Sequence, residues 1–327
     1  FGPNSSVNVG GLVASTLNIT DQDFLAGKYD FSAVSGQDLA AVVNQGRIEI
    51  TNGGYAVLIG PTVLNEGTII ARAGNVVLAG GEQATLNLDG QDLVHYALKE
   101  KVGEGTVLLA PGMLSDTMAD IFGVNPSLRA DSLVRLPDGS VKMLRSSGTT
   151  VQAGTVNVDG TDGQKAGSIA LDSTDVTIVG RDSVTTASGH GKLSSGGEIL
   201  VLSSMDGLET SRGFTDVQSG ALLSVAGGQS GDGGFVEVSG DGVNLLGEVD
   251  LSATDGAVGT FLLDPVVVTI VDGNNAPTSN PATANTTIGD QWFSTLTGDL
   301  VLQSTGDIIF DASAPGGVAG DGQNVVA

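Results

Sequence analysis

Short aliphatic runs closed by Gly, Asp, Asn or Ser follow one another from end to end of this chain, at 7–9, 12–19, 47–50, 68–71, 76–79, 168–171 and 176–179 and on through 299–302. Brief runs bounded by turn-forming residues predict the strands of an all-β fold. In Phe235-Val236-Glu237-Val238-Ser239 the side chains of Val236 and Val238 share one face and Glu237 takes the other, so each strand has a dry side and a wet side. A hairpin sandwich would alternate in the same way; recurrence separates the two. Gly54-Tyr55-Ala56-Val57-Leu58-Ile59-Gly60 returns as Gly74-Asn75-Val76-Val77-Leu78-Ala79-Gly80 at an offset of 20 residues, and Asn44-Gln45-Gly46 returns as Asn65-Glu66-Gly67 at 21. Offsets of this size mark a solenoid, a parallel β-helix whose coils stack at about 4.8 Å.

Two places break the rhythm. Between 93 and 145, Leu114, Met118, Ile121 and Phe122 are spaced for one face of a short helix that starts near Ser115 or Asp116. Leu136-Pro137-Asp138-Gly139-Ser140-Val141 predicts a hairpin, because Asp-Gly supplies the positive φ of a tight turn. This helix/hairpin region reads as a cap or side insertion on the coils. Residues 272–298, rich in Asn, Thr, Ala and Pro, predict a loop or linker. The expected organisation is a β-helix over 1–92, the insertion over 93–145, further β-helix over 146–271, the linker over 272–298, and the start of another β segment over 299–327.

Composition narrows the function. Aromatics are only 4% and Gly numbers 50, so small aliphatic side chains must fill narrow coils. The formal charge of −24 argues against nucleic acid, whose phosphates need clustered Lys and Arg, and against an anionic membrane surface. Lopsided charge also keeps a long β-rich rod from pairing edge to edge. Cys is absent, which removes disulfides and thiolate chemistry and suits a chain exported unfolded. No stretch reaches the ~18 apolar residues of a membrane span. Phe1 stands where an initiator methionine would, so the chain reads as a processed or excised piece.

Candidate chemistry is sparse. His95 lies in an apolar run and reads as structural; Gly189-His190-Gly191 matches a motif of polygalacturonases, which are also β-helices. Their reaction needs paired carboxylates, and the chain has no Asp-Asp, Asn-Thr-Asp or Arg-Ile-Lys to complete the signature. His190 therefore reads as a turn residue. Two histidines without cysteine give neither a zinc site nor a secure triad. The acidic loops at 159–163 and 231–234 lack a regular calcium-binding nonapeptide array and read as solvated turns. Three Asn-x-Ser/Thr sites, at Asn4, Asn18 and Asn285, fit the glycosylation pattern, which recurs by chance in a chain of this composition. No catalytic residue, cofactor or metal is expected.

The opening Phe1-Gly2-Pro3-Asn4-Ser5-Ser6-Val7-Asn8-Val9-Gly10-Gly11-Leu12-Val13-Ala14-Ser15-Thr16-Leu17-Asn18-Ile19 resembles the amino-terminal secretion domain of filamentous haemagglutinin-like exoproteins, the passengers of two-partner secretion. The resemblance continues through Asn44-Gln45-Gly46-Arg47-Ile48, 58–69 and 71–79, covering about the first 90 residues. Segments 233–240 and 259–265 look like parts of large adhesins of the same group. The resemblance implies a right-handed parallel β-helix, threaded unfolded through an outer-membrane β-barrel transporter and folded outside a Gram-negative cell. It also implies a family Asn-Pro-Asn-Gly-Ile determinant just before the opening segment. Each exported turn would bury its inward aliphatics on the previous one, with Val57 and Val77 as the matched positions. The expected function is a secreted or cell-surface exoprotein, an export domain followed by an adhesin-like stalk. A host or neighbouring-cell receptor or glycan would be a further partner. Gly2, Asn4, Asn8, Gly10 and Gly11 are the residues expected to meet the transporter; a carbohydrate-active β-helix enzyme is the alternative.

Overall fold

The computed structural model describes residues 1–35, 37, 39–88, 94–98, 106–124, 133–144, 148–161, 163–204, 213–280, 284–311 and 325–326. Parallel strands build three walls of a β-helix. Wall I is a six-stranded sheet of Val42–Asn44, Thr62–Asn65, Thr149–Gln152, Val176–Val179, Phe214–Val217 and Gly242–Leu245. Wall II stacks Thr68–Ile70, Thr155–Asn157, Val184–Thr186, Leu222–Ser224 and Glu248–Asp250. Wall III stacks Asn75–Gly80, Ser168–Ser173, Glu198–Leu202, Phe235–Gly240, Thr260–Pro265 and Asp299–Leu302. Walls II and III form one sheet because the Ser6–Ser15 and Arg47–Gly60 strands run from one wall into the other.

The offset of 20 residues is one coil, for Tyr55 to Gly60 pair residue by residue with Asn75 to Gly80. Alternation then stacks like upon like. Ala56, Val76, Ile169, Ile199, Val236, Phe261 and Leu300 align in one inward column of wall III, and all belong to the central core. Each larger side chain in such a column contributes about 1.5 to 3 kcal/mol through burial.

Polar ladders hold the corners between walls. From wall I to wall II, Asn44 Nδ2 donates to Asn65 Oδ1 at 2.8 Å, and Asn65 Nδ2 donates to Gln152 Oε1 at 2.6 Å. Two residues on, the corner has no room for a side chain: a Cβ on Gly67 would lie 2.2 Å from the Gly46 oxygen, and one on Gly154 2.1 Å from the Gly67 oxygen. The Asn-x-Gly repeat is therefore the corner itself. From wall III to wall I, the hydroxyls of Thr150, Thr177 and Thr215 donate to the carbonyls of Asp172, Leu202 and Ser239. Those threonines occupy one register position in successive coils.

Inserted elements cover the outsides of two walls. Tyr29–Ser32, Gln83–Leu88 and Val94–Leu98 form an antiparallel sheet that buries the outer side of wall III, including Val57, Ile59, Val77, Ala79 and Ala170. Over wall I lie the sheet of Leu39–Ala40, Thr106–Leu109, Leu133–Arg135 and Val141–Leu144 and a helix at Asp116–Val124. Leu114, Met118 and Ile121 pack there against Val43, Leu64, Val151 and Ile178. Ser115 caps the helix, its Oγ accepting from Met118 N at 3.1 Å. The expected hairpin is present, with Gly139 at φ 83° and Asp138 Oδ1 accepting from Ser140 N.

Two expectations change. Val57 and Val77 do not face inward: they lie outside wall III under the covering sheet, whereas Ala56, Leu58, Val76 and Leu78 fill the coil. Alternation alone assigns two sides to a strand, and in these coils both sides are dry. Where composition suggests a linker, the 272–298 stretch instead adds the Asn285–Gly289 strand in parallel beside Val267–Val271. Trp292, Phe293 and Leu296 from the same stretch close the central core, with Trp292 edge-on to Phe261 at 6.5 Å. Polar alternation in Asn285-Thr286-Thr287-Ile288 hides a strand whose Thr286 and Ile288 are buried.

Candidate functional site

The amino terminus hooks onto the edge of the first full coil. Phe1 N donates to the Val43 carbonyl at 2.8 Å, Gln45 N to Phe1 O, and Arg47 N to Ser5 O. Ser6–Ser15 then pairs in parallel with Arg47–Gly60, with a register shift between Val9 and Gly11. Its other edge has no partner strand among the described residues.

The expected recognition residues divide by environment. Gly11 is a packing residue, since a Cβ there would meet the Tyr55 ring at 2.7 Å. Gly2 and Gly10 face no such obstacle, with nothing within 4 Å of Gly2 and only Thr51 Oγ1 at 3.7 Å from Gly10. Asn4 and Asn8 are exposed, and Asn8 stands in register with Glu49. Asn8 and Gly10 share the free strand, while Gly2 and Asn4 lie in the hook before it.

His190 is not a free turn residue. It sits in the two-residue strand Gly189–His190 beside Gly160–Thr161, and its Nε2 meets Asp159 Oδ2 at 2.9 Å. Asp159 belongs to the coil before, and it also accepts from Asn157 Nδ2 at 2.7 Å and Ser188 N at 2.8 Å. The carboxylate thus pins two coils together at the corner. No sequence motif links the pair, because the partner is one coil away; only the pairing of Gly160 with Gly189 reveals it. The backbone of His95 lies in the covering sheet opposite Asn87.

A second polar group joins the cover to wall III. Tyr96 hydrogen-bonds Asp172, whose Oδ1 also accepts from Ser173 N at 2.7 Å. Burial pushes the Asp172 carboxyl up to about 6 against these hydrogen bonds, with the charge of Glu237 adding to the rise. Burial and the Asp172 charge hold the Tyr96 hydroxyl well above its usual range. A cleft of about 670 Å³ beside the Asp116–Val124 helix is lined by Asp120, Ile121, Arg181, Asp182 and Gln218 among others; Arg181 N donates to Gln218 Oε1 at 3.1 Å.

Residues 1–127 match the family model described as the TPS secretion domain. That span takes in both the first coils and the Asp116–Val124 helix, so it extends beyond the opening segments that carry the sequence resemblance. The fold is similar to the crystal structure of the HMW1 secretion domain from Haemophilus influenzae, with a TM-score of 0.50 and 18% identity over 96% of this chain and 76% of that one. No curated protein matches the chain. Residues 1–127 thus resemble a TPS secretion domain, the export domain of two-partner secretion, in a chain that folds as a β-helix.

Proposed function

We propose that the hook and first strand are the surface by which an outer-membrane β-barrel transporter of the two-partner type recognises this chain. The observation that carries the reading is the free edge of Ser6–Ser15, with exposed Asn8 and Gly10 upon it and Gly2 and Asn4 beside it. An unpaired strand edge offers backbone donors and acceptors in a row, and side chains along it add selectivity. Gly11 supports the surface from beneath by seating Tyr55. The later coils serve as an adhesin-like stalk, displayed on or released from the surface of a Gram-negative cell and presented to a host or neighbouring-cell receptor or glycan.

Export tests this directly. In cells carrying the cognate transporter, the double variant Asn4→Ala/Asn8→Ala should accumulate outside at about a tenth of the normal level, since two lost interface hydrogen bonds amount to about 1.4 kcal/mol or more. The purified variant should unfold at the normal temperature. Normal export of that variant would refute the assignment. The enzymatic alternative draws on the His190–Asp159 contact, yet that carboxylate already accepts from two other donors in a corner. Turnover of an acidic polysaccharide, lost in His190→Ala, would reinstate it.

A further inference from the structure

The covering sheet ends partway along wall III. Val57, Val77, Ala170 and Leu200 occupy one outward row, and all four pack in the cluster beneath the cover. The same row continues through Glu237, Leu262 and Val301, where no covering strand lies among the described residues. Parallel sheets are ordinarily buried on both faces. Here the outer face retains half-buried Leu262 and Val301, paired across adjacent coils, with a carboxylate in the next outward row two residues beyond Leu262.

That carboxylate is Asp264. It is buried to 6% exposure; Oδ2 accepts from Gln303 Nε2 at 3.0 Å, and Oδ1 has no hydrogen-bond partner. Burial and the neighbouring charge of Glu237 push its carboxyl up. Two acids so placed call for a cation, and the coils that carry them hold none. After Arg212 the sequence has no Lys, Arg or His, against fourteen Asp and Glu.

We infer that the uncovered outer surface of wall III, centred on Glu237, Leu262 and Asp264, is a docking surface for a segment of a partner protein in which Lys or Arg alternates with aliphatic side chains. Charge complementarity selects this occupant. An anionic bilayer and a second copy of these all-acidic coils would both be repelled. The aliphatic side chains would cover Leu262 and Val301, and the cation would pair with the half-buried Glu237 and offset the charge of the buried Asp264 behind it.

The test titrates the full chain with a fluorescent peptide of alternating Lys and Leu, read by anisotropy, beside a peptide with Glu in place of Lys. The Lys peptide should bind and the Glu peptide should not. Glu237→Gln/Asp264→Asn should weaken binding about tenfold, and Leu262→Ser should weaken it at unchanged net charge. Asp255→Asn/Asp272→Asn, which removes the same charge from exposed sites elsewhere, should leave it within about twofold. Equal weakening by both charge pairs would show non-specific attraction and overturn the assignment. So would absence of Lys-peptide binding, or self-association of the unmodified chain in sedimentation that Leu262→Ser abolishes. Circular dichroism checks each variant's fold, and the Glu237→Gln/Asp264→Asn pair relieves repulsion rather than creating it.

Discussion

Asn65 donates through Nδ2 to Gln152 Oε1 at 2.6 Å, 87 positions further along the chain, so the covering elements from Gln83–Leu88 to Val141–Leu144 are looped out between two adjacent coils. Asn65 also accepts from Asn44, and both bonds are buried. Asn65→Leu would orphan a donor on Asn44 and an acceptor on Gln152. A buried orphan costs about 1–3 kcal/mol. The variant should lose about 2–4 kcal/mol, measured by denaturant unfolding, and loss of less than half that would mean the ladder relaxes around the gap.

Gly67→Ala should be among the more damaging small substitutions, because the added carbon meets the backbone of Gly46 rather than a movable side chain. Overpacking of this kind costs about 1–3 kcal/mol or more. Gly2→Ala, where nothing lies within 4 Å, should change stability by less than about 0.5 kcal/mol. Thermal unfolding of the two variants side by side distinguishes a stacking requirement from a general preference for glycine.

Asp172 imposes a pH dependence of definite sign. Its carboxyl titrates near 6 when folded against an ordinary 3.8. Between those values the folded chain holds a proton that the unfolded chain has lost, so stability falls as pH rises from about 4 to about 6. The full effect is at most about 3 kcal/mol. Asp172→Asn, which keeps an acceptor for Tyr96, should stabilise the chain at pH 7 and flatten this part of the profile. A steeper profile, or destabilisation at pH 7, would show that the ionised carboxylate is the favoured partner of Tyr96.

Val57→Asp/Val77→Asp places two charges beneath the covering sheet. The purified variant should lose at least about 3 kcal/mol and admit limited proteolysis in the cover. If folding outside the membrane helps draw the chain outward, its export should slow as well. Export at the normal rate from a destabilised variant would separate folding from translocation.

The coil was legible because its signals are local. Ala56-Val57-Leu58 returns as Val76-Val77-Leu78, and the Asn-x-Gly corner recurs beside them. The helix after Ser115 and the turn at Gly139 were likewise written within a few residues. What escaped was long-range. Nothing in Tyr29–Ser32 announces a partner at Gln83–Leu88, and the Thr150, Thr177 and Thr215 ladder is obscured by unequal loops between coils. Trp292 read as part of a linker because its neighbours are polar, though a single indole filled the gap beside Phe261. Of the candidate surface, Gly11 could not be told from Gly10 without the Tyr55 ring above it.

The covering sheet has a consequence in time. Its first strand, Tyr29–Ser32, precedes the wall it protects, but its partner Gln83–Leu88 and the outer Val94–Leu98 follow that wall in the chain. A chain emerging amino end first would therefore stack its second and third coils with Val57, Ile59 and Val77 still wet. Until the residues up to Leu98 arrive, the nascent rod is sticky on one side, and a transporter that held it through that interval would act as its shelter.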